Sequence, residues 1–282
     1  LNSCILDKIE KNKKNILLPQ QIIKKVKDSK SQYDSFIKVD IQNFFPSINH
    51  EILLEKLKTK IDDEKILNLI TKAITQSTVD VKTLFKQRVK YNNMVGVPQG
   101  LSISGLLAEI YINDLEQKYT TKKNLEFFRY VDDVLIFCNN NDIDEITQEL
   151  KNDFEDLKLS IHDFEVNSNK SSFGNISESF EFLGYRFQNE LISVRESSVQ
   201  KMYTNISKIF TLYKNKKYSS KEEFITRLNL KITGCVINGK KYGWISFFSL
   251  INDHTLLFSL DKFVENNCKK LNINYDEIRK FS

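Results

Sequence analysis

The chain has 282 residues, 40% of them hydrophobic, which is enough for one large domain and a smaller one. Its four cysteines lie far apart without a C-x-x-C pair, which argues against a zinc site or a disulfide framework and favours a reducing compartment. The net charge is +5, there is no signal peptide, and no apolar run approaches the roughly 18 residues of a membrane span, so we expect a soluble cytoplasmic protein that does not contact a membrane.

The chain opens with a predicted helical lead-in and a strand. Residues 1–35 are lysine-rich and weakly helical, and Pro19 interrupts them. Residues 36–41 then alternate between two faces, as a strand does, so Asp40 is expected at the end of a strand. Because the first residue is Leu1 rather than Met, either the chain was trimmed or its start lies upstream.

Helices are predicted after this strand. The first runs from Glu51 to Lys58 with Ser47 or Asn49 as its cap, and a second runs over about 63–76. The turn-rich segment 96–100 leads into a third, because apolar residues recur at helical spacing from Ile103 to Leu115.

The second half of the chain is predicted to add strands and then more helices. Strands are expected at 127–131 and 134–138 as a hairpin, and at 161–166, 180–187 and 191–194 to complete one sheet, with an acidic helix over 142–158 between them. From Ser197 onward helical patterns dominate, and we place a boundary near residue 196.

Asp132 and Asp133 lie between two short runs of β-favouring apolar residues. Two ionised carboxylates beside buried strands repel each other and lose hydration, so a positive group should compensate them. A divalent cation held by oxygen ligands is one such group. The alternative is a hairpin whose turn contains two aspartates because aspartate favours turns.

Asp40 extends this pair to three carboxylates. If neighbouring strands bring Asp40, Asp132 and Asp133 to one edge, they can hold two Mg²⁺ ions, with the carbonyl of Ile41 as a further ligand. Such ions serve phosphoryl transfer. The three histidines are scattered, and we interpret each as structural or exposed: His50, His162 and His254.

Charge is unevenly distributed along the chain. Residues 130–170 contain eleven acidic residues and three lysines, whereas residues 201–242 contain ten basic and two acidic residues. A basic region after an acidic one suits a nucleic-acid backbone on the former and metal on the latter. Ordinary solvated helix faces are the alternative.

Five motifs occur in the order and approximate spacing of the palm motifs of reverse transcriptases, which the chain resembles over about residues 34–260. They are FIKVDIQNFFPSI (36–48), GVPQGLSIS (96–104), YVDD (130–133), NKS (169–171) and FLGY (182–185). The resemblance is to bacterial enzymes of the retron, group II intron and defence-associated (abortive-infection) lineages. Residues 99–111 favour the last of these.

The resemblance implies an α+β fold, a right-hand polymerase palm whose antiparallel sheet is backed by helices. It implies reduced or truncated fingers and a C-terminal helical thumb. The corresponding domains are 1–35 (lead-in or fingers remnant), 36–196 (palm with fingers insertions) and 197–282 (thumb). The basic residues with which relatives hold the triphosphate would fall at or before Leu1, so a fingers segment is either missing or reduced.

The resemblance also implies roles for individual residues. Asp40, Asp132 and Asp133 would be catalytic metal ligands together with the Ile41 carbonyl, and Lys170 would assist the departing pyrophosphate. Phe45 would exclude a 2′-hydroxyl, and Gln99 and Gly100 would contact the nucleotide. The alternatives are a core aromatic for Phe45, for which Phe44 is better suited, a loop-capping glutamine, a turn glycine and a surface lysine.

The primer side is assigned in the same way. Tyr130 would pack near the primer terminus, and Leu183, Gly184 and Tyr185 would form a turn that grips the primer; ordinary strand packing is the alternative. Lysines and aromatics of 201–248, including Tyr242, Trp244 and Phe247, resemble a thumb, although Trp244 suits a core position better than a base-stacking one.

The function implied is RNA-directed DNA synthesis from dNTPs in bacterial antiphage defence, with two Mg²⁺ ions that Mn²⁺ can replace. The partners would be an RNA template or structured non-coding RNA and the DNA product; a protein partner or an oligomer is left open. One alternative is template-independent DNA synthesis at the same site. The other is a palm-like RNA-binding subunit that works beside a catalytic partner.

Overall fold

The computed structural model of the chain describes residues 17–76, 94–165 and 170–282. Within these ranges the chain forms two compact units. The first contains residues 26–176, and the second contains residues 19–25 and 177–282. These units are defined by how compactly the chain packs. The predicted division into lead-in, palm and thumb is one of polymerase subdomains, and it stays a prediction.

The first unit is built on a four-stranded antiparallel sheet. Its strands are β1 (Ser35–Asp40), β2 (Leu125–Tyr130), β3 (Asp133–Cys138) and β4 (Ser172–Asn175), in the order β2-β3-β1-β4. The central strand β3 is fully buried from Val134 to Cys138. A short strand that is apolar on both faces is what two-sided coverage requires.

Helices cover one face of this sheet. They are α2 (Phe44–Ser47), α3 (His50–Lys58), α4 (Glu64–Ile74), α5 (Ser104–Thr120) and α6 (Ile143–Asp156), whereas the buried residues of α1 (Pro19–Ser29), which precedes β1, do not belong to the core that these helices share with the sheet. The strand residues Ile37, Val39 and Ile136 share one core with buried side chains of α5 and α6. An antiparallel sheet backed by helices, as predicted, is therefore confirmed.

The helix starts follow from local chemistry. The side chain of Asn49 accepts a hydrogen bond from the amide of Ile52 and caps α3, and Asp63 caps α4 in the same way. Pro19, the expected break in the lead-in, occupies the first position of α1. That position needs no amide hydrogen, so proline is well tolerated there.

The prediction of a single sheet was wrong. The expected strand at 180–187 is a hairpin of β5 (Phe180–Phe182) and β6 (Tyr185–Gln188), which forms a separate three-stranded sheet with β7 (Leu191–Val194) in the second unit. The expected strand at 161–166 is reduced to one bridge between Ile161 and Ile41, and residues 162–165 form no strand. Residue 166 lies outside the described residues.

The second unit contains four helices and a hairpin that was not predicted. They are α7 (Glu196–Lys214), α8 (Lys221–Thr233), the hairpin β8 (Cys235–Ile237) and β9 (Lys240–Tyr242), α9 (Trp244–Phe247) and α10 (His254–Lys270). The three long helices share a core that includes Met202, Leu228 and Val264. Across the described ranges, no helix is long and apolar enough to cross a membrane.

Candidate active site

Four side chains with predicted roles form a row across the first sheet. Asp40 on β1 is directly opposite Asp133 on β3, and Asp133 is directly opposite Tyr130 on β2. Residues that oppose each other in an antiparallel ladder share a face. On the other side of Asp40, the Nζ atom of Lys170 lies 2.9 Å from an Asp40 carboxylate oxygen, where the register of β1 with β4 would continue.

This row lies on the sheet face opposite the helices. Side chains alternate along a strand, and Val39 and Val134, the neighbours of Asp40 and Asp133, lie in the core that α5 and α6 share. The carboxylates therefore point away from that core. Asp40 and Asp133 are only half-buried, so they are accessible to a ligand.

Asp132 lies in the turn that joins β2 to β3. The turn consists of Val131 and Asp132, since Tyr130 already pairs with Asp133. The side chain of Asp132 is exposed. Of the three carboxylates predicted to converge, Asp40 and Asp133 lie opposite each other, and Asp132 is adjacent to Asp133 in sequence.

Cationic and polar groups surround the Asp40 carboxylate. Besides Lys170, the Nε2 atom of His162 lies 3.7 Å from an Asp40 oxygen. The backbone amide of Asp40 donates to the hydroxyl of Ser171 at 3.0 Å. Two contacts hold His162 in place. Its backbone amide donates to the Asp40 carbonyl, and its Nδ1 atom lies 3.4 Å from the side-chain Nε2 atom of Gln42.

His162 is a residue that the sequence interpretation missed. We had grouped it with the scattered histidines, and no spacing links it to Asp40, which lies more than a hundred residues earlier. The bridge between Ile41 and Ile161 brings the two segments together. Of the other histidines, His50 is buried and its Nε2 atom lies 2.7 Å from the Gly96 carbonyl, whereas His254 is exposed.

Arg129 is a second residue that the sequence interpretation missed. Its side chain is 4% exposed and forms ion pairs with Glu109 and Glu116, both on α5. Burial alone would lower the pKa of the guanidinium, but the hydrogen bonds and charges of the two glutamates raise it above its usual value. The sequence does hold a signal, since Glu109 and Glu116 are two helical turns apart on a largely apolar helix.

The loop that carries Gln99 is attached to the segment that carries Phe45. The amide of Val97 donates to the Phe45 carbonyl at 2.8 Å, and the amide of Gly96 donates to the Ile48 carbonyl at 2.7 Å. Gly96 has a φ of 95°, and a Cβ atom there would lie 2.8 Å from the Pro46 carbonyl oxygen. A glycine is therefore needed for this close approach.

The predicted nucleotide-contacting residues are accessible. Gln99 and Gly100 are exposed, and a Cβ atom at Gly100 would meet nothing within 4 Å. Gly100 has a φ of 104°, which favours glycine in any case. Phe44 is 3% exposed, whereas Phe45 is only partly buried. Phe44 is thus a core ring, as expected, and Phe45 packs against the same core while remaining partly exposed.

The predicted primer-gripping residues belong to the second unit. Leu183 and Gly184, with φ values of 49° and 82°, form the turn between β5 and β6. Tyr185 is fully buried, its hydroxyl donates to the Phe247 carbonyl at 2.5 Å, and burial raises its pKa to about 12. The side chain of Tyr185 is thus a packing residue, and the turn before it is available for contact.

Two thumb aromatics differ in their surroundings. Trp244 packs against the rings of Phe248 and Phe281, as expected for a core position, whereas Tyr242 is 49% exposed. The three described cysteines are free: Cys138, Cys235 and Cys268.

The donor set fits a magnesium ion that also takes ligands from a substrate. Among the residues that the structure describes, no group of three or more His, Cys, Asp or Glu side chains could hold a metal ion. Mg²⁺, however, is commonly bound by one or two carboxylates plus waters and substrate phosphates. The opposed side chains of Asp40 and Asp133 supply two such carboxylates. In this structure the positively charged group beside Asp40 is Lys170.

Similar structures support the fold. The chain is similar to the telomerase of Candida albicans, whose structure is in complex with a TWJ fragment of telomeric RNA, with a TM-score of 0.55 at 15% identity over 96% of this chain and 46% of that one. At this identity the likeness shows the fold alone.

Two curated proteins are similar in sequence. An uncharacterized 91 kDa protein in the cob intron of Schizosaccharomyces pombe is 38% identical over 29% of this chain and 9% of its own length. Protein YkfC of Escherichia coli K12 is 24% identical over 53% of this chain and 46% of its own length. The chain thus spans less than half the length of either relative.

The family model described as reverse transcriptase (RNA-dependent DNA polymerase) matches residues 1–187, about two thirds of the chain. That range contains every side chain of the row across the sheet, from Tyr130 to Lys170, and the loop with Gln99. The chain therefore belongs to the reverse transcriptase (RNA-dependent DNA polymerase) family of nucleotidyltransferases.

Proposed function

We propose that this chain is the catalytic part of an RNA-directed DNA polymerase, which adds dNTPs to a primer 3′ end by two-metal phosphoryl transfer. The observation that carries the proposal is the row of Tyr130, Asp133, Asp40 and Lys170 on the sheet face opposite α5 and α6. Opposed carboxylates beside a lysine suit a site where cations and phosphates meet.

In this proposal Asp40, Asp132 and Asp133, with the Ile41 carbonyl, hold two Mg²⁺ ions, which Mn²⁺ can replace. When bound, these ions would activate the primer 3′-hydroxyl and neutralise charge on the triphosphate. Lys170 stabilises the departing pyrophosphate, since its ammonium group already lies at Asp40.

Nucleotide and primer contacts complete the proposed site. Phe45 packs against the sugar and rejects a 2′-hydroxyl by overlap, while Gln99 donates and accepts hydrogen bonds at the sugar or primer end. Gly100 lets the backbone approach the nucleotide. Tyr130 packs near the primer terminus, and the turn of Leu183 and Gly184, anchored by the buried Tyr185, contacts the primer strand. The implied partners are the RNA template and the DNA product, which the basic residues of the thumb would bind.

The first prediction tests the carboxylates. Asp40→Asn, Asp132→Asn and Asp133→Asn should each reduce dNTP incorporation on a primed RNA template by about a thousandfold or more, because several kcal/mol of metal-based charge stabilisation is lost. The control is Asp144→Asn, at an exposed aspartate of α6. Incorporation and circular dichroism would be measured together. Undiminished incorporation by folded Asp133→Asn would refute the proposal.

Template dependence distinguishes this function from untemplated synthesis at the same residues. We expect omission of a single dNTP to stop extension at the template position that requires it. Extension that continues regardless of the template would favour the untemplated alternative. Binding of RNA without incorporation on any template would favour an RNA-binding subunit that assists a catalytic partner.

We also propose a role in bacterial defence against phage, which is supported by the resemblance of residues 99–111 to the defence-associated lineage. The test is phage plating on bacteria that express the chain. Wild type should lower plaque formation and Asp132→Asn should not. Equal plaque counts for both would count against the role without affecting the polymerase proposal.

A further inference from the structure

The turn that carries Asp132 has an unusual backbone conformation. Val131 has a φ of 57°, in the left-handed region, and for a β-branched residue this is an outlier. Glycine or asparagine is the ordinary choice in such a position. Something outside the turn must therefore keep Val131 in this conformation.

Arg129 supplies a contact that can do so. Its Nη1 atom donates a hydrogen bond to the carbonyl oxygen of Val131 at 2.9 Å. The same guanidinium donates from Nε to Glu116 at 2.9 Å and from Nη1 to Glu109 at 3.1 Å, and its Nη2 atom contacts both carboxylates at 2.6 and 2.5 Å. The two glutamates thus fix the rigid planar guanidinium against α5, and its hydrogen bond to Val131 connects the turn to that helix.

Arg129 has more carboxylate partners than neutralisation of its charge requires. One carboxylate would compensate one guanidinium, yet two converge on Arg129, and their side chains remain 30% and 28% exposed. The second carboxylate restrains the rotation of the planar group, so its remaining donor points at the turn. Arg129 also faces α5, whereas its strand neighbour Tyr130 lies on the opposite face in the row with Asp133.

The same helix links the turn to the nucleotide loop. Helix α5 begins at Ser104, whose hydroxyl donates to the Pro98 carbonyl at 2.6 Å, next to Gln99. A shift of α5 would therefore move the loop, and through Arg129 it would move the turn. Helix α5 thus positions both candidate ligand-contacting segments, the loop with Gln99 and the turn with Asp132.

We propose that Arg129, fixed by Glu109 and Glu116, is a positioning residue that keeps Val131 left-handed and so holds Asp132 and Asp133 beside Asp40. The proposal rests on the polymerase function for its catalytic consequence. Its structural consequence, a turn conformation that depends on Arg129, can be measured without activity.

The first experiment removes the guanidinium. Arg129→Gln should speed amide hydrogen exchange in the peptide that covers 125–138 and weaken Mn²⁺ binding, measured by electron paramagnetic resonance, by about 10- to 100-fold, as loss of a residue that orients metal ligands does. Lys56→Gln is the matched control, because it also removes an ion pair to α5, with Asp114, but does not touch the turn. It should leave both quantities unchanged.

The second experiment separates positioning from general stability. Adding Val131→Gly to Arg129→Gln should restore slow exchange in 125–138 and recover Mn²⁺ affinity by at least about tenfold, because glycine adopts the left-handed conformation without help. The melting temperature should not recover to the same extent, since the partly buried carboxylates of Glu109 and Glu116 still lack their partner.

Two results would overturn the proposal. One is hydrogen exchange in 125–138 that is the same in Arg129→Gln as in wild type. The other is faster exchange that Val131→Gly does not restore, which would make Arg129 a general core residue. Failure of the polymerase function has a different signature: wild type would incorporate no dNTP while the exchange results still support the positioning role.

Discussion

Two adjacent phenylalanines after β1 divide between core and surface. Phe44 is 3% exposed and packs with the helices, whereas Phe45 is partly exposed and its carbonyl holds the loop that leads to Gln99. Helical geometry accounts for the difference, because consecutive residues of a helix turn point in different directions. The two positions should therefore respond differently to the same substitution.

We predict that Phe45→Ala raises the use of ribonucleotides relative to deoxynucleotides by about 10- to 200-fold, the range typical of one pocket contact. The measurement is kcat/KM for a dNTP and its matching rNTP on one primed template. Phe44→Ala should instead lower the free energy of unfolding by about 3–5 kcal/mol. Unchanged sugar selectivity in Phe45→Ala would assign that ring to packing.

At this scale the sequence was more informative about residues within motifs than about residues whose partners lie elsewhere in the chain. Asp40 and Asp133 meet as predicted, because strand alternation and a hairpin tip are local patterns. His162 and Arg129 were missed because their partners, Asp40 in one case and Glu109 and Glu116 in the other, are brought to them only by tertiary packing.

The hairpin of β8 and β9 depends on two glycines at its base. A Cβ atom on Gly234 would lie 1.8 Å from the Tyr242 carbonyl oxygen, and one on Gly243 would lie 2.6 Å from the Gly234 Cα atom. The two backbones therefore approach more closely than any side chain allows. Gly239, at the tip, has open space around it although its φ is 74°.

We predict that Gly234→Ala destabilises the second unit by more than about 3 kcal/mol, since it combines overlap with a backbone conformation that alanine resists. Gly239→Ala is the matched control and should cost about 1–2 kcal/mol, from conformation alone. Urea unfolding followed by circular dichroism measures both. Equal costs would mean that the hairpin moves apart easily.

Elements with local signals were predicted and those with long-range signals were not. Asn49, one of the two predicted caps, caps α3, and Asp63, at the predicted start of the next helix, caps α4. The strand expected at 180–187 failed because Leu183 and Gly184 turn the chain back. The alternating pattern on either side gave no indication that β5 to β7 form their own sheet.

The two units have separate cores, and each core contains one fully buried cysteine. Cys138 lies in the core of the first unit and Cys268 in that of the second. Burial raises the pKa of Cys138 to about 12 and that of Cys268 to about 11. Because a raised pKa leaves less thiolate at neutral pH, both thiols should be unreactive in the folded chain.

We predict that, of the three cysteines in the described residues, iodoacetamide at pH 7.5 modifies the half-buried Cys235 first, while Cys138 and Cys268 are modified only when their own unit opens. Mass spectrometry of peptides after timed labelling in urea would give two opening curves. Different urea midpoints for Cys138 and Cys268 would indicate that the two units unfold independently. Coincident midpoints would indicate that they unfold cooperatively. Rapid labelling of Cys138 in buffer would contradict the closed core.

The pairing of Asp40 with Asp133 has a consequence for how this chain tolerates change in length. Every residue of β1 is fixed in register against β3, and residues 35–38 also pair with β4. A shift of one residue reverses the face on which a side chain emerges. Removing a single residue from 36–39 would turn Asp40 toward the helices. Length variation should therefore be accepted in the connecting loops and rejected in β1, even where substitution of the same residues is harmless.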